Sequence, residues 1–366
     1  MNLLLRGIVV LISIGLLLIY FYSVITTTLL NRHLRDPIGF GLTRIIRAIL
    51  APFIPTPRTY QQFHRVIVWF LPLFLFLMIS LWFLLVMISM ANLYWATYAD
   101  TTWGQALIDS GSALSTLGFQ TPANLQGHIL AIIEGAMGLV IVVFLLTFVP
   151  GYQSAIEARE RQMLQLYAHA GVPASSTRLL EWIYRSNNED QLKSALEAWE
   201  AWFWEQGRVI TLNPVLAFIP SFYEGQFWLY VTGSMLDAIT LISSSLDVPP
   251  NISPQSGFLA GTKMVADIAG MFQWHLPFIR QARVTDTITP VTRAGYETAC
   301  DRLAALGAPI KADRDESWQQ FTALRSQYAD NIAWITLVTM APVIPWLPFH
   351  PSTTSPTPTI FPQTPS

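Results

Sequence analysis

Ser110-Gly-Ser-Ala-Leu-Ser-Thr-Leu-Gly-Phe-Gln-Thr-Pro122 decides how the rest of this chain is read. The stretch lies between two long apolar segments, residues 66–98 and 127–149. Just before it, Thr102-Trp-Gly-Gln105 fits a capping box, with Thr102 as N-cap and Gln105 reaching back. Trp103, Ala106, Leu107, Ser110, Ala113 and Leu114 then recur at helical spacing. The spacing predicts a short helix over 102–115 and a non-helical strand over 116–121. Trp103 falls where an interfacial anchor belongs. A short helix ending in such a strand, held between two membrane helices, is how a re-entrant loop is written in sequence. Non-helical backbone at membrane depth is tolerated only where it is buried in protein or lines a water-filled path.

Within the strand each residue has an expected task. Thr116 carries hydroxyl and carbonyl oxygens, and Leu117 is expected to turn its side chain away and pack. Gly118 opens backbone geometry closed to other residues. Phe119 braces against the short helix as an aromatic spring. Gln120 and Thr121 follow, and Gln120 in a left-handed conformation costs about 1 kcal/mol or more. The helix ends near Ser115, where its carbonyls carry partial negative charge and favour a cation.

The chain has 366 residues, of which 52% are hydrophobic and only 12% charged. A soluble domain carries roughly 25% charged residues, so much of the chain belongs in lipid. The formal net charge of -2 gives no reason to expect nucleic acid. One cysteine, Cys300, excludes an internal disulfide and a Cys-based metal site. No phosphate loop, His-Glu-x-x-His or nucleophile elbow occurs, so no catalytic constellation, metal site or enzyme activity is expected.

Three segments have the roughly 20 apolar residues needed to span about 30 Å of hydrocarbon: 7–30, 66–98 and 127–149. The first reads as a span rather than a signal peptide, because it exceeds the usual h-region of roughly 7–15 residues and no small-x-small site follows. Basic residues set the orientation. The loop after the first span holds Arg32, Arg35, Arg44, Arg47, Arg58 and Arg65 against Asp36 alone. No Lys or Arg occurs from Val66 to Ala158, and Arg159 and Arg161 then follow the third span. The loop 32–65 and everything after residue 151 are therefore expected in the cytoplasm, with the re-entrant loop entering from outside.

The third span carries one acid, Glu134. An intramembrane acid is expensive and by default marks function. It either faces the ion path or lies behind the strand, bonded to Ser112 or Ser115; the second placement is preferred. Gly135 and Gly138 near the middle are candidates for a hinge or for close helix packing. Pro150-Gly151 is expected to close the helix.

The remainder reads as helical. Residues 155–170 continue from the third span, and helices follow over 175–186, 190–206, 228–246, 257–274, 292–306 and 314–331. Trp199, Trp202, Phe203 and Trp204 cluster on one helix as core or subunit contact. Residues 332–349 are apolar but hold Pro342, Pro345 and Pro348, which favours a buried or interface-lying segment. Residues 351–366 form a Ser/Thr/Pro tail expected to be disordered.

Thr116-Leu-Gly-Phe119 resembles the filter strand Thr-x-Gly-Tyr/Phe-Gly of potassium channels. Residues 111–119, Glu134-Gly-Ala-Met-Gly-Leu139, Phe148-Val-Pro150 and 152–171 resemble a bacterial potassium-channel-like family with two pore-forming helices per subunit. The likeness covers roughly residues 66–171. It departs from the family pattern at Gln120 and Thr121, where a second glycine and an acid usually stand. The resemblance implies an all-α membrane protein in five parts. These are an N-terminal transmembrane helix (1–31), a basic cytoplasmic linker (32–65), a pore domain (66–150), a helical cytoplasmic domain (151–350) and the tail (351–366). It also implies a homotetramer in the plasma membrane, passing monovalent cations, K+ foremost, through Thr116, Leu117, Gly118, Phe119 and Gln120. Ser112, Ser115 and Glu134 would support that filter. A non-conducting receptor or scaffold working through the cytoplasmic helices is the alternative, motivated by Gln120. A single-chain uptake subunit would need four such loops, and the sequence holds one. The sequence names no cytoplasmic ligand.

Overall fold

The computed structural model describes residues 3–28, 36–54, 60–98, 101–122, 124–170, 174–185, 189–221, 226–275 and 291–342. Among these the chain is helical, with one isolated bridge between Leu246 and Ile310 and no strand. Arg32, Arg35, Arg58 and the tail 351–366 lie outside the described residues.

Among the described residues three helices are long and apolar enough to cross a membrane. The first, α1 (Leu3–Thr28), has 26 residues, or about 39 Å at 1.5 Å per residue. The second is α4 (Phe70–Thr97), and the third lies in α6 (Leu125–Ala170). They meet at Trp82 of α4, which is fully buried. Its indole stands edge-on to Tyr20 of α1 and Phe144 of α6, at 6.4 Å and 4.5 Å between ring centres. Its Nε1 donates to Ser23 Oγ of α1 at 3.0 Å, which satisfies the one polar atom that Trp brings inside. Only 22% of each apolar window is buried within the chain. The remaining apolar surface needs lipid or other protein to cover it.

Residues 32–65, expected as a linker, are largely folded among the described residues. α2 (Pro37–Leu50) starts at Asp36, whose carboxylate accepts from the Ile38 and Gly39 amides, with Pro37 at the first helical position. It buries Leu42, Ile46 and Leu50 at helical spacing and leaves Ile45 and Ile49 exposed. Arg47 donates to the carbonyls of Val338 and Leu337 at 2.9 and 3.2 Å. α3 (Tyr60–Ile67) is followed by a turn at Val68–Trp69, so the second span begins as a separate helix, α4.

The expected stop at Pro150 is overturned. α6 runs 46 residues with Pro150 inside it, about 69 Å, more than twice the hydrocarbon thickness. A proline costs roughly 3 kcal/mol within a helix. The helix nevertheless continues, because stopping there would leave its last four carbonyls to find other partners, whereas Pro150 removes a single N–H.

α5 (Trp103–Leu114) sits between α4 and α6, and the C-terminal half builds on α7 (Ser176–Arg185), α8 (Glu189–Leu212), α9 (Trp228–Ser245), α10 (Gln255–His275), α11 (Arg293–Ala305) and α12 (Arg314–Thr339). α9 is buried on nearly every side, its polar side chains included. Asp237 on α9 is fully buried and pairs with Arg325 of α12 at 3.1 Å, with the Tyr328 hydroxyl donating to the same oxygen. Burial pushes its carboxyl above the usual range, and the Arg325 guanidinium and Tyr328 hydroxyl pull the other way. Trp199, Trp202 and Phe203 are core residues of α8, whereas Trp204 is 52% exposed. Residues 332–339 extend α12 and are mostly buried; residues 343–349 lie outside the described residues.

Several described contacts fasten the body to the spans around the start of α4 and the middle of α6. The Phe218 ring stacks on Phe70 at the start of α4, 4.2 Å between centres. Tyr60 of α3 donates to the Gln226 carbonyl, and His64 Nε2 lies 3.1 Å from the Ser221 carbonyl. On α6, buried Arg159 donates to the carbonyls of Leu216 and Ile219 at 3.1 and 3.0 Å. Its neighbour Glu160 accepts from Ser221.

Candidate functional site

The site is built from α5, the non-helical segment after it (116–121, expected as a strand and without strand pairing among the described residues) and the facing side of α6. α5 starts where the Thr102 hydroxyl accepts from the Gln105 amide at 3.3 Å. Trp103 fixes the start of the helix by donating from Nε1 to Asn92 Oδ1 of α4 at 3.1 Å. The helix stops because Thr116 takes a left-handed conformation, φ 57. Its amide bonds the Ala113 carbonyl at 3.0 Å, and the Gly118 amide reaches the Ser112 carbonyl at 3.3 Å. A left-handed residue after the last turn is a common way to end a helix, but glycine normally fills it. A β-branched residue there is an outlier, and the left-handed conformation costs about 1–2 kcal/mol. Strain of this kind gathers at functional sites.

Gly118 follows in the same region, φ 65, with open space where a Cβ would project. A side chain there would meet conformational strain and no clash. Gln120 does not have a positive φ, so the strain expected at Gln120 is carried by Thr116 instead. The buried Ser112 hydroxyl donates to the Gln120 carbonyl at 2.7 Å, and the Gln120 amide donates back to Ser112 Oγ at 2.9 Å. One side chain of α5 thereby ties both backbone polar groups of Gln120, and the Gln120 carbonyl is turned back to α5.

Two further expectations are corrected. Leu117 is 74% exposed and Phe119 is 66% exposed. Neither packs against α5 within one chain, because the strand leaves the helix end facing outward. α6 adds a bare apolar stripe beside it: Ile132, Leu139, Val143 and Leu146 share one face and are all exposed.

Glu134 is fully buried on the opposite face of α6. Its partners are not Ser112 or Ser115. The Tyr94 hydroxyl of α4 donates to Glu134 Oε2 at 3.1 Å, and Ser110 Oγ of α5 bonds Oε1. Ser110 and Tyr94 carried no distinguishing signal in the sequence, because only the packing of three helices brings them to Glu134. Ser115 bonds the Gly111 carbonyl of its own helix at 2.6 Å. α6 runs unbroken through Gly135 and Gly138. A Cβ on Gly138 would lie 2.1 Å from the Leu114 carbonyl oxygen, and one on Gly135 would lie 3.4 Å from that of Ala113. The glycines therefore admit the end of α5 and do not act as a hinge in this conformation.

Ser112→Ala leaves both polar groups of Gln120 without these partners. Each of these part-buried bonds contributes about 0.5–1.5 kcal/mol, so the thermal midpoint in detergent should fall. Ser115→Ala, which removes only a bond to its own helix, should stay within about 0.5 kcal/mol of wild type. Equal midpoints for the two variants would refute the bracing role of Ser112.

Among the described residues no group of His, Cys, Asp and Glu is placed to hold a metal ion. No protein-family model, curated protein or solved structure matches this chain.

Proposed function

We propose that four copies of the chain surround one axis and pass monovalent cations, K+ foremost, across a cell membrane. The observation that carries this reading is the strand 116–120: its backbone hangs from the carbonyl end of α5, while Leu117 and Phe119 stay bare in a single chain. Neighbouring copies would cover those side chains and the Ile132–Leu146 face of α6. Carbonyl rings that replace an ion's water shell need several strands around one axis, and each chain supplies one. The helical body after residue 151 would lie in the cytoplasm, as the arginines of 32–65 and Arg159 and Arg161 require.

A second reading is a receptor or scaffold that keeps this architecture without conducting. One observation favours it: the Gln120 carbonyl is turned back to α5, where the Ser112 hydroxyl occupies one of its two lone pairs.

Flux of potassium, sodium and rubidium into liposomes, for wild type and Gly118→Ala, separates the two. Gly118→Ala should fold, since the added methyl meets open space, but its strained backbone should abolish selective flux. Selective flux in wild type that disappears in the variant fits the channel with its filter at Gly118. Unselective flux fits a pore whose outer sites are lost. No flux from a well-folded tetramer overturns conduction and leaves the receptor.

A further inference from the structure

We infer that Glu134 is a proton-binding site: it carries a carboxylic acid proton that joins α6 to α4 and α5 behind the re-entrant loop. The inference rests on counting protons. Ser110 has one hydroxyl proton and two oxygen neighbours, Glu134 Oε1 and the Met87 carbonyl at 2.9 Å. A carbonyl only accepts. When the Ser110 proton goes to Met87, its contact with Glu134 is a hydrogen bond only if Glu134 donates. The Tyr94 proton goes to Glu134 Oε2. The neutral acid thus completes an ordered chain, Tyr94 to Glu134 to Ser110 to Met87, in which three protons have three separate acceptors.

The ionised form fails on a second count. Glu134 is fully buried and, among the described residues, forms no ion pair. The titratable groups facing this region are Tyr94 and Tyr98 of α4 and Asp109 of α5, none of them a cation. Asp109 Oδ1 and Tyr98 Oη are themselves buried without a hydrogen-bond partner. No Lys or Arg occurs anywhere from Val66 to Ala158. A buried charge without a partner is costly enough that the group neutralises instead, and a second nearby carboxylate adds repulsion. The proton therefore holds the loop-bearing helix in place, and its loss would set an unpaired charge between three helices.

The inference rests on this packing and needs no conduction, so it is tested on purified protein in lipid nanodiscs by infrared spectroscopy. Wild type at neutral pH should show a protonated-acid carbonyl band that Glu134→Gln removes and that survives in Asp109→Asn. Tyr94→Phe should move that band to higher frequency, because it takes the donor from the acid's carbonyl oxygen. Glu134→Gln should also keep the wild-type thermal midpoint, since its amide donates to Ser110 and accepts from Tyr94, whereas Glu134→Ala should lower it. An acid-carbonyl region unchanged by both Glu134→Gln and Tyr94→Phe would show a carboxylate and overturn the proposal. Should Glu134→Gln not fold, the Tyr94→Phe shift alone decides. Absent flux in liposomes would count against the channel and leave this result standing.

Discussion

Gly138→Ala is expected to unseat the end of α5 and the segment after it, although it adds one methyl group to a helix. The new Cβ would stand 2.1 Å from the Leu114 carbonyl oxygen and 3.1 Å from its carbon. Both are backbone atoms at the end of α5, so no side chain can rotate away. Either α6 or the end of α5 must move by about 1 Å, and close-packed interiors transmit such shifts. Overpacking usually costs about 1–3 kcal/mol and occasionally more; a contact this short with backbone belongs at the upper end. Gly135→Ala is the control. Its Cβ would lie 3.4 Å from the Ala113 carbonyl oxygen, and alanine is a better helix former by about 1 kcal/mol. That variant should hold or raise the thermal midpoint. If Gly138→Ala melts with Gly135→Ala, the close packing of α5 on α6 is wrong.

Arg159→Ala should be the most damaging change outside the membrane helices' packed faces. Arg159 is 4% exposed and donates to two carbonyls of the segment that leads into Ser221. Its guanidinium also lies 3.6 Å from Glu160. Truncation takes the Arg159 donor from the buried Ile219 carbonyl, leaves the Leu216 carbonyl only the Ile219 amide, and leaves a buried acid without its cation. Breaking a buried pair from one side costs about 3–5 kcal/mol. Arg159→Lys should recover only part, since a single ammonium lacks the fork that reaches Leu216 and Ile219 together. Adding Glu160→Gln to Arg159→Ala should restore stability by removing the stranded charge. The thermal midpoint measures all three, and limited proteolysis near residues 214–221 reports whether the body loosens from α6 first. A midpoint within about 1 kcal/mol of wild type for Arg159→Ala would contradict the junction described here.

The two variants act on either end of one helix. α6 presents Gly138 to the end of α5 and Arg159 to the C-terminal body, and Pro150 between them does not interrupt it. A displacement at one end therefore has a rigid element along which to reach the other.

Much of this architecture was legible in the residues. The capping pattern at Thr102 marks a helix that begins one residue later, and long apolar runs mark three helices able to cross a membrane. These features are local. Capping uses atoms within one turn, and apolar length is a property of one segment. The helical character of the C-terminal half follows in the same way from periodicity and from Pro, Gly and Asn punctuation. What local signals misjudged were the places where another element intervenes. Pro150 reads as a stop, yet the cost of unpaired backbone outweighs one missing N–H. Gln120 reads as the strained position, yet Ser112 holds it in ordinary geometry and the helix end passes the strain to Thr116. Glu134 reads as unusual without naming its partners.

The sequence by itself determined that this is an all-helical chain with three segments fit for lipid and one short helix and strand between the last two. Capping, periodicity and apolar length depend on neighbours a few residues away. Only the tertiary structure decided that Gly138 admits the end of α5, that Ser110 and Tyr94 receive Glu134, and that Arg159 locks the body to α6. Those outcomes depend on which atoms three packed helices bring within about 3 Å of one another, where a buried polar group must find its partner.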